Sequence, residues 1–176
     1  IGDGNRLASL DGTTSAAGVW NPSALDLPDG YEITTFSKIK NFLVIYANYE
    51  PDPSGVQSDI VRANSTAFLW DMVSESYTYT VPLQGSKVNG GFTMNGTPGC
   101  FVQGQSEQPA ATDSKILLYN GSVFDTVTHF DELIPIHGGV EVTGDLIRWN
   151  SLGKMMTYGK AYRGQDNSLQ KIASAS

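Results

Sequence analysis

Two histidines are the first residues to weigh for catalysis, because histidine is the commonest general base near neutral pH. His129 lies close in sequence to Ser122 and to two aspartates, Asp125 and Asp131, which are the residue types of a Ser–His–Asp triad. No Gly-x-Ser-x-Gly elbow is present, and Ser122 and Asp125 fall in an ordinary predicted hairpin and its outer strand. We therefore predict that the chain is not an enzyme, and we assign no catalytic residue.

Metal ligation is not favoured by the spacing of the candidate ligands. His137 precedes a Gly-Gly pair and is interpreted as part of a turn, and a single cysteine, Cys100, cannot build a cysteine-based zinc site. Asp52, Asp59 and Asp71 offer hard oxygen atoms, yet the spacing of a calcium-binding loop is missing. We predict neither a metal site nor a cofactor, and we interpret Cys100 as a small core residue.

With catalysis and metal ligation not favoured, the residue types leave open a contact site for a glycan or for a protein. Trp20, Tyr49 and Tyr162 lie in or beside predicted loops, where an exposed ring can stack on a sugar or pack on a partner. Asp52 and Asp59 offer a pair of carboxylates of the kind that glycosidases use. These five residues are the candidate binding site, and the sequence does not separate a glycan from a protein as its ligand.

Short apolar runs must position these side chains. The runs are four to seven residues long and end at Gly, Asn, Asp, Ser or Pro, and no window keeps a helical stripe for three turns. Charged residues are only 16% of the chain and glycine occurs 19 times, a balance that favours an all-β protein rich in turns. Strands are predicted near 32–36, 41–47, 66–70, 77–82, 100–104, 116–119 and 155–159.

Two interleaved series of similar segments recur along the chain. The first series, interpreted as third strands, begins at Leu7, Ala67, Ile116 and, more weakly, Leu169. The second series, interpreted as second strands, comprises 42–47, 100–104 and 155–159. The copies of the first series start 49 to 60 residues apart, which is the spacing of four-stranded propeller blades. Such blades must stack, because their apolar faces are not stable alone.

The repeat therefore predicts an all-β, β-propeller-like fold of about three four-stranded antiparallel blades that belong to a larger propeller. One propeller segment is predicted over 1–176, with units at 1–30 (partial), 31–85, 86–138 and 139–176 (partial). An arc of this kind leaves apolar sheet faces uncovered at both ends, so we expect a longer parent chain or packing against other chains. The segment by itself is expected to aggregate or to form a closed oligomer.

The longest loops are predicted between the second and third strands of the units. They are Asn48–Asn64, Gln105–Ser114 and Lys160–Asn167. Prolines in the first two disfavour strand, since proline lacks the donor that a ladder needs. All loops of one type emerge on the same face of a propeller, so we expect these three to form one contact surface.

Net charge and apolar run length exclude two kinds of partner. The chain carries 18 acidic and 11 basic residues, a net charge of −7, and its basic residues are scattered. Nucleic-acid binding is not expected, because it needs a concentrated basic surface. No membrane span is expected either, because every apolar run is far shorter than the roughly 20 residues that cross a bilayer.

The sequence of the repeat is most recognisable in four stretches: Gly4–Thr14, Ala24–Thr34, Phe68–Asp71 with Tyr77–Tyr79, and Lys115–Phe124. Together they resemble propeller-type structural proteins of tailed bacteriophages, over most of residues 1–130. The resemblance implies a non-enzymatic virion protein of the tail or particle surface, present in many copies, which mediates assembly or host contact. Its implied partners are other virion proteins and a host-surface receptor or glycan. The alternative is a propeller module that binds or hydrolyses glycans.

Overall fold

The computed structural model describes the chain in seven stretches: 2–11, 19–49, 64–104, 113–135, 140–151, 153–159 and 168–174. The regular elements of these stretches are 15 β-strands. No helix long and apolar enough to cross a membrane occurs in them. Short runs rich in β-branched and aromatic residues form the strands, because such side chains pack well on a pleated surface. The prediction of an all-β chain is confirmed for the described stretches.

The strands form four antiparallel sheets in chain order, and in each sheet the strands that are consecutive in the chain pair with one another. Sheet 1 contains β1 (Gly2–Asp3), β2 (Arg6–Asp11) and β3 (Val19–Asp26). Sheet 2 contains β4 (Tyr31–Ile39), β5 (Phe42–Tyr49), β6 (Asn64–Asp71) and β7 (Ser76–Leu83). Sheet 3 contains β8 (Lys87–Met94), β9 (Thr97–Gln103), β10 (Ser114–Tyr119) and β11 (Phe124–Phe130). Sheet 4 contains β12 (Glu141–Thr143), β13 (Leu146–Ser151), β14 (Lys154–Gly159) and β15 (Ser168–Ser174). The predicted four-stranded antiparallel sheets are confirmed in sheets 2, 3 and 4.

Sheet 2 is buried on both faces at its second strand. Alternate residues of β5 point to opposite faces. Val44 and Tyr46 belong to a core cluster shared with sheet 3, whereas Ile45 and Ala47 belong to a cluster shared with residues of sheet 1. Burial on both sides explains why β5 is a continuous apolar run, without the alternation of a half-exposed strand.

Sheet 3 repeats this arrangement at its own second strand. Cys100 and Val102 of β9 belong to the cluster shared with sheet 2. Phe101, between them, belongs to the cluster shared with sheet 4, and its ring centroid lies 4.7 Å from that of Trp149 in β13. The four sheets are therefore stacked in chain order, each on its predecessor.

The first strands of sheets 2 and 3 lie side by side and run in the same direction. The Lys38 N–H donates to the Thr93 hydroxyl at 3.1 Å, and the Gly91 N–H donates to the Thr35 hydroxyl at 2.9 Å. A Cβ at Gly91 would lie 2.5 Å from the carbonyl oxygen of Phe36. Only glycine permits this approach of β8 to β4.

The strand order of the last sheet differs from the prediction. We predicted 155–159 as a second strand, equivalent to 42–47 and 100–104, and the segment from Leu169 as a third strand. In sheet 4 these segments are β14 and β15, which are the third and fourth strands. Second and third strands are both buried runs, as the pattern of β6 shows, so apolar composition does not distinguish them.

The ends of β5 and β9 lie together at one end of the stacked sheets. The Asn48 side-chain oxygen accepts from the Val88 N–H at 2.7 Å, and the Gln103 carbonyl accepts from the Ser86 N–H at 2.8 Å. Both strands therefore end beside the start of β8. We call this the lower end, and the β5–β6 and β9–β10 connections leave from it.

The third predicted loop, Lys160–Asn167, lies outside the described residues. β14 ends at Gly159, which pairs with Leu146, next to Asp145. Asp145 accepts a hydrogen bond from Asn95 in the β8–β9 turn, at the opposite end of sheet 3. The strand that precedes this loop therefore ends away from the lower end, from which the β5–β6 and β9–β10 connections leave.

The outer face of sheet 4 carries mainly polar residues at its described positions. Ile147, Trp149, Met156 and Tyr158 point toward sheet 3 and belong to the shared core. The alternate positions face away from that core, and they are Arg148, Asn150, Met155, Thr157 and Gln170. Among the positions of this face whose burial is described, Met155 is an exposed apolar side chain and Thr157 is buried.

Candidate functional site

The predicted binding residues are dispersed or lie outside the described stretches. Asp52, Asp59 and Tyr162 fall on residues that the structure does not describe. Tyr49 is the last residue of β5, at the lower end, and is half-buried. Its ring lies 5.2 Å from that of Tyr31. The ring of Tyr49 also covers Gly30, where a Cβ would come within 2.7 Å of it, so Tyr49 anchors the entry to β4.

Trp20 lies away from Tyr49. In the β2–β3 ladder Trp20 pairs with Leu10, at the end of β3 remote from the turn that joins β1 to β2. That turn lies beside the start of β4, since the Gly4 carbonyl accepts from the Ile33 N–H at 2.8 Å. Trp20 and Tyr49 are therefore at opposite ends of their sheets and do not form one site.

The histidine interpreted as part of a possible triad has a different partner. The Nδ1 atom of His129 lies 3.0 Å from Oδ1 of Asp113. Asp125 instead accepts from the Asn120 amide at 2.7 Å. Ser122 precedes β11, about 17 Å or more along the strand from His129. The residues considered for a triad are thus not brought together, which agrees with the absence of an elbow motif.

Asp113, Lys115 and His129 form a charged cluster at the lower end of sheet 3. Lys115 lies directly opposite His129 in the β10–β11 ladder, and Asp113 is two residues before Lys115, on the same side of the chain. The Lys115 ammonium lies 3.2 Å from Oδ2 of Asp113, and the lysine side chain is only 16% exposed. The Asp113 carboxylate is therefore held between two cationic or donor groups.

A cavity of about 390 Å³ opens beside this cluster. It is lined by Leu83, Gln84, Gly85, Gly104, Asp113 and Lys115. The two glycines shape its wall. A Cβ at Gly104 would lie 2.9 Å from Oδ2 of Asp113, and one at Gly85 would lie 2.7 Å from the carbonyl oxygen of Gln103. The cavity thus depends on backbone that is packed too closely for side chains.

The hydrogen bond from His129 is the main cause that lowers the pKa of Asp113 below its ordinary value, and Lys115 adds to the effect. A donor or a positive charge beside a carboxylate favours its ionised form. Because the folded-state pKa is depressed, the stabilisation from Asp113 is present above its ordinary pKa and is lost as pH falls through the folded value.

Replacing His129 by alanine is expected to raise the pKa of Asp113 toward the ordinary value of 3.8. The largest cause of the depression is then gone, while Lys115 remains. NMR titration of the Asp113 side-chain carboxyl carbon measures the shift. Thr126→Ala, on the same strand, is the matched control and should leave the titration unchanged. A pKa that does not move in His129→Ala would show that the hydrogen bond does not act on the carboxylate.

The cluster has the chemistry of a polar binding site. The His129 imidazole bonds to the Asp113 carboxylate at an exposed position. Among the described residues, no group of three or more His, Cys, Asp or Glu side chains could hold a metal ion. Asp113, Lys115 and Gln84 were not predicted as site residues, because the cavity depends on contacts between two sheets.

Comparison with protein-family models, with curated proteins and with solved structures finds no match to this chain.

Proposed function

We propose that this chain is an arc of β-propeller blades in a non-enzymatic structural protein of a bacteriophage virion. The observation that carries the proposal is the stacking of four consecutive sheets, with a core cluster of apolar side chains between each sheet and the next. The first strands β4 and β8 also lie side by side in one direction, as in the inner ring of a propeller. Repetition of this unit in chain order supports a propeller more than a sandwich of two sheets.

A structural role is supported by the contacts of the polar residues and by the burial of apolar side chains between the sheets. The His129 imidazole and the Asp113 carboxylate bond to each other at an exposed position. Most buried side chains of the described residues form the cores between sheets. A protein of this kind contributes rigid, repeated surface to an assembly, and the phage resemblance gives the assembly as a tail or particle surface in the virion.

The lower end is the contact surface that we propose. The β5–β6 and β9–β10 connections leave from it, and the polar cavity opens there. Connections between strands tolerate variation and carry contacts to partners, while the stacked sheets hold them in place. The partners are neighbouring virion proteins or a receptor on the host surface.

Purified particles of the phage that encodes the chain are expected to contain it in many copies. Mass spectrometry of gradient-purified particles measures the copy number, and gold-labelled antibody against the chain locates it by electron microscopy. A soluble lysate fraction is the control for carry-over. If the chain is abundant in the lysate and absent from washed particles, the virion assignment is wrong.

Glycan binding is the second candidate function, and the polar cavity at the lower end favours it. A hydrolase would need a pair of carboxylates, for which the sequence offers Asp52 and Asp59. Incubation of the protein with host polysaccharide tests this directly. Cleavage that is lost in Asp52→Ala or Asp59→Ala would overturn the non-enzymatic proposal, whereas binding without cleavage agrees with it.

A further inference from the structure

Backbone groups around the cavity are already committed to hydrogen bonds within the protein. The Gly85 carbonyl accepts from the Ser65 N–H at 3.1 Å and from the Ser65 hydroxyl at 2.9 Å. The Gly104 N–H donates to the Asp113 carbonyl. These two backbone groups are therefore not available to a ligand, and the side chains of the wall offer the remaining groups considered for its recognition.

Three side chains of the wall keep hydrogen-bonding capacity. Each carboxylate oxygen of Asp113 accepts one bond from the cluster and retains a second acceptor site. The Lys115 ammonium has three hydrogens, of which one points to Asp113. Gln84 is exposed at the rim and offers both a donor and an acceptor. The cavity thus presents fixed acceptors and fixed donors side by side.

The charges of the wall select against an ionic ligand. Asp113 and Lys115 neutralise each other across 3.2 Å, so an anion attracted by the ammonium also meets the carboxylate. A cation attracted by the carboxylate is likewise repelled by the ammonium. A neutral ligand with neighbouring hydroxyl groups avoids both, because a hydroxyl donates to the carboxylate while its neighbour accepts from the ammonium.

We propose that this cavity binds a single neutral sugar residue through two adjacent hydroxyl groups, with Asp113 as acceptor, Lys115 as donor and Gln84 at the rim. The volume of about 390 Å³ is near the lower limit of small-molecule sites, which suits one sugar ring. Lys115 is held in place by burial and by Asp113, so little side-chain freedom is lost on binding. The site is separate from the predicted Trp20, Tyr49 and Tyr162 residues, and it does not depend on the virion assignment.

Titration of the full chain with methyl glycosides of glucose, galactose and mannose tests the proposal by NMR. At least one glycoside is expected to give saturable shifts of the amide signals of Gln84, Gly85 and Lys115. Methyl glucuronide, which differs from the glucoside by a carboxylate, is expected to bind more weakly. Tighter binding of the glucuronide would overturn the assignment to a neutral sugar.

Variants of the wall separate specific binding from a nonspecific effect. Asp113→Asn keeps the shape of the side chain and loses its charge, so affinity should fall by about tenfold or more. Gln84→Ala, at an exposed position, should also weaken binding while leaving the fold intact. Asp125→Asn, at the other end of β11, is the matched control and should bind as the unmodified chain does. The proposal fails if no glycoside gives saturable shifts, or if Asp113→Asn and Gln84→Ala bind with unchanged affinity.

Discussion

Replacement of Phe101 by alanine is expected to lower the free energy of unfolding by about 3–5 kcal/mol. Phe101 is fully buried and lies at the centre of the aromatic cluster that joins sheets 3 and 4. Its ring centroid is 4.7 Å from that of Trp149, 5.7 Å from that of Phe92 and 6.2 Å from that of Phe130. Three rigid rings cannot close the resulting space, so most of the cavity should persist.

Urea denaturation followed by circular dichroism measures this loss. Val127→Ala in β11 is a suitable control, because Val127 is 36% exposed and its truncation should change stability by about 0.5 kcal/mol or less. Equal stability of Phe101→Ala and the control would mean that sheets 3 and 4 are not held together by this cluster.

The repeat in the sequence was sufficient to locate the buried strands of sheets 2 and 3. The strands β5 and β9 have no polar alternation, and a single apolar run is ambiguous between a strand and a buried helix. Recurrence of the same run resolved that ambiguity, because neighbouring units must bury equivalent faces.

Sheet 4 was not predictable in the same way. β12 has only three residues and β13 has six, and tight turns connect them to their neighbours. Gly144 and Gly153 adopt positive φ angles of 60° and 79° in these turns. Strands this short carry little pattern, so the apolar run in β14 was matched to the wrong member of the repeat.

The residue opposite His129 in the β10–β11 ladder could not be predicted by regular pairing of the two strands back from the predicted Asn120–Gly121 turn. The β10–β11 register shifts between Ile116 and Leu117, where β11 carries an extra residue. That bulge places His129 opposite Lys115. Regular pairing from the turn would put a different residue there and reverse the faces, since a shift of one residue exchanges the two sides of a strand.

Replacement of Tyr46 by phenylalanine is expected to destabilise the protein by about 1–3 kcal/mol, although only one hydroxyl is removed. Tyr46 is fully buried and its hydroxyl donates to the Gly99 carbonyl of sheet 3 at 3.1 Å. The Ser37 hydroxyl, 2.8 Å away, must then donate to Tyr46. The variant leaves the Gly99 oxygen and the Ser37 hydroxyl buried without these partners.

The raised pKa of Tyr46 makes the contribution of this hydroxyl to the free energy of unfolding depend on pH. Burial, with a smaller contribution from Cys100, raises the pKa of Tyr46 well above its ordinary value. The hydroxyl therefore stays protonated in the folded protein, while the unfolded chain ionises above a pH of about 10. The stabilisation is complete below that pH and is lost as pH rises toward the folded-state pKa.

A double-mutant cycle with Ser37→Ala separates the hydrogen bonds of Tyr46 from its packing. Ser37→Ala should cost less in the Tyr46→Phe background than in the unmodified protein, because the serine hydroxyl has already lost its acceptor there. Tyr79→Phe, at a position that is 39% exposed, is the control and should be close to neutral. Additive costs of the two core variants would contradict the hydrogen-bond network, because independent sites show no coupling. Coupling between them would show that the Ser37 and Tyr46 hydroxyls act together within sheet 2, where the Tyr46 hydroxyl also donates to the Gly99 carbonyl of sheet 3.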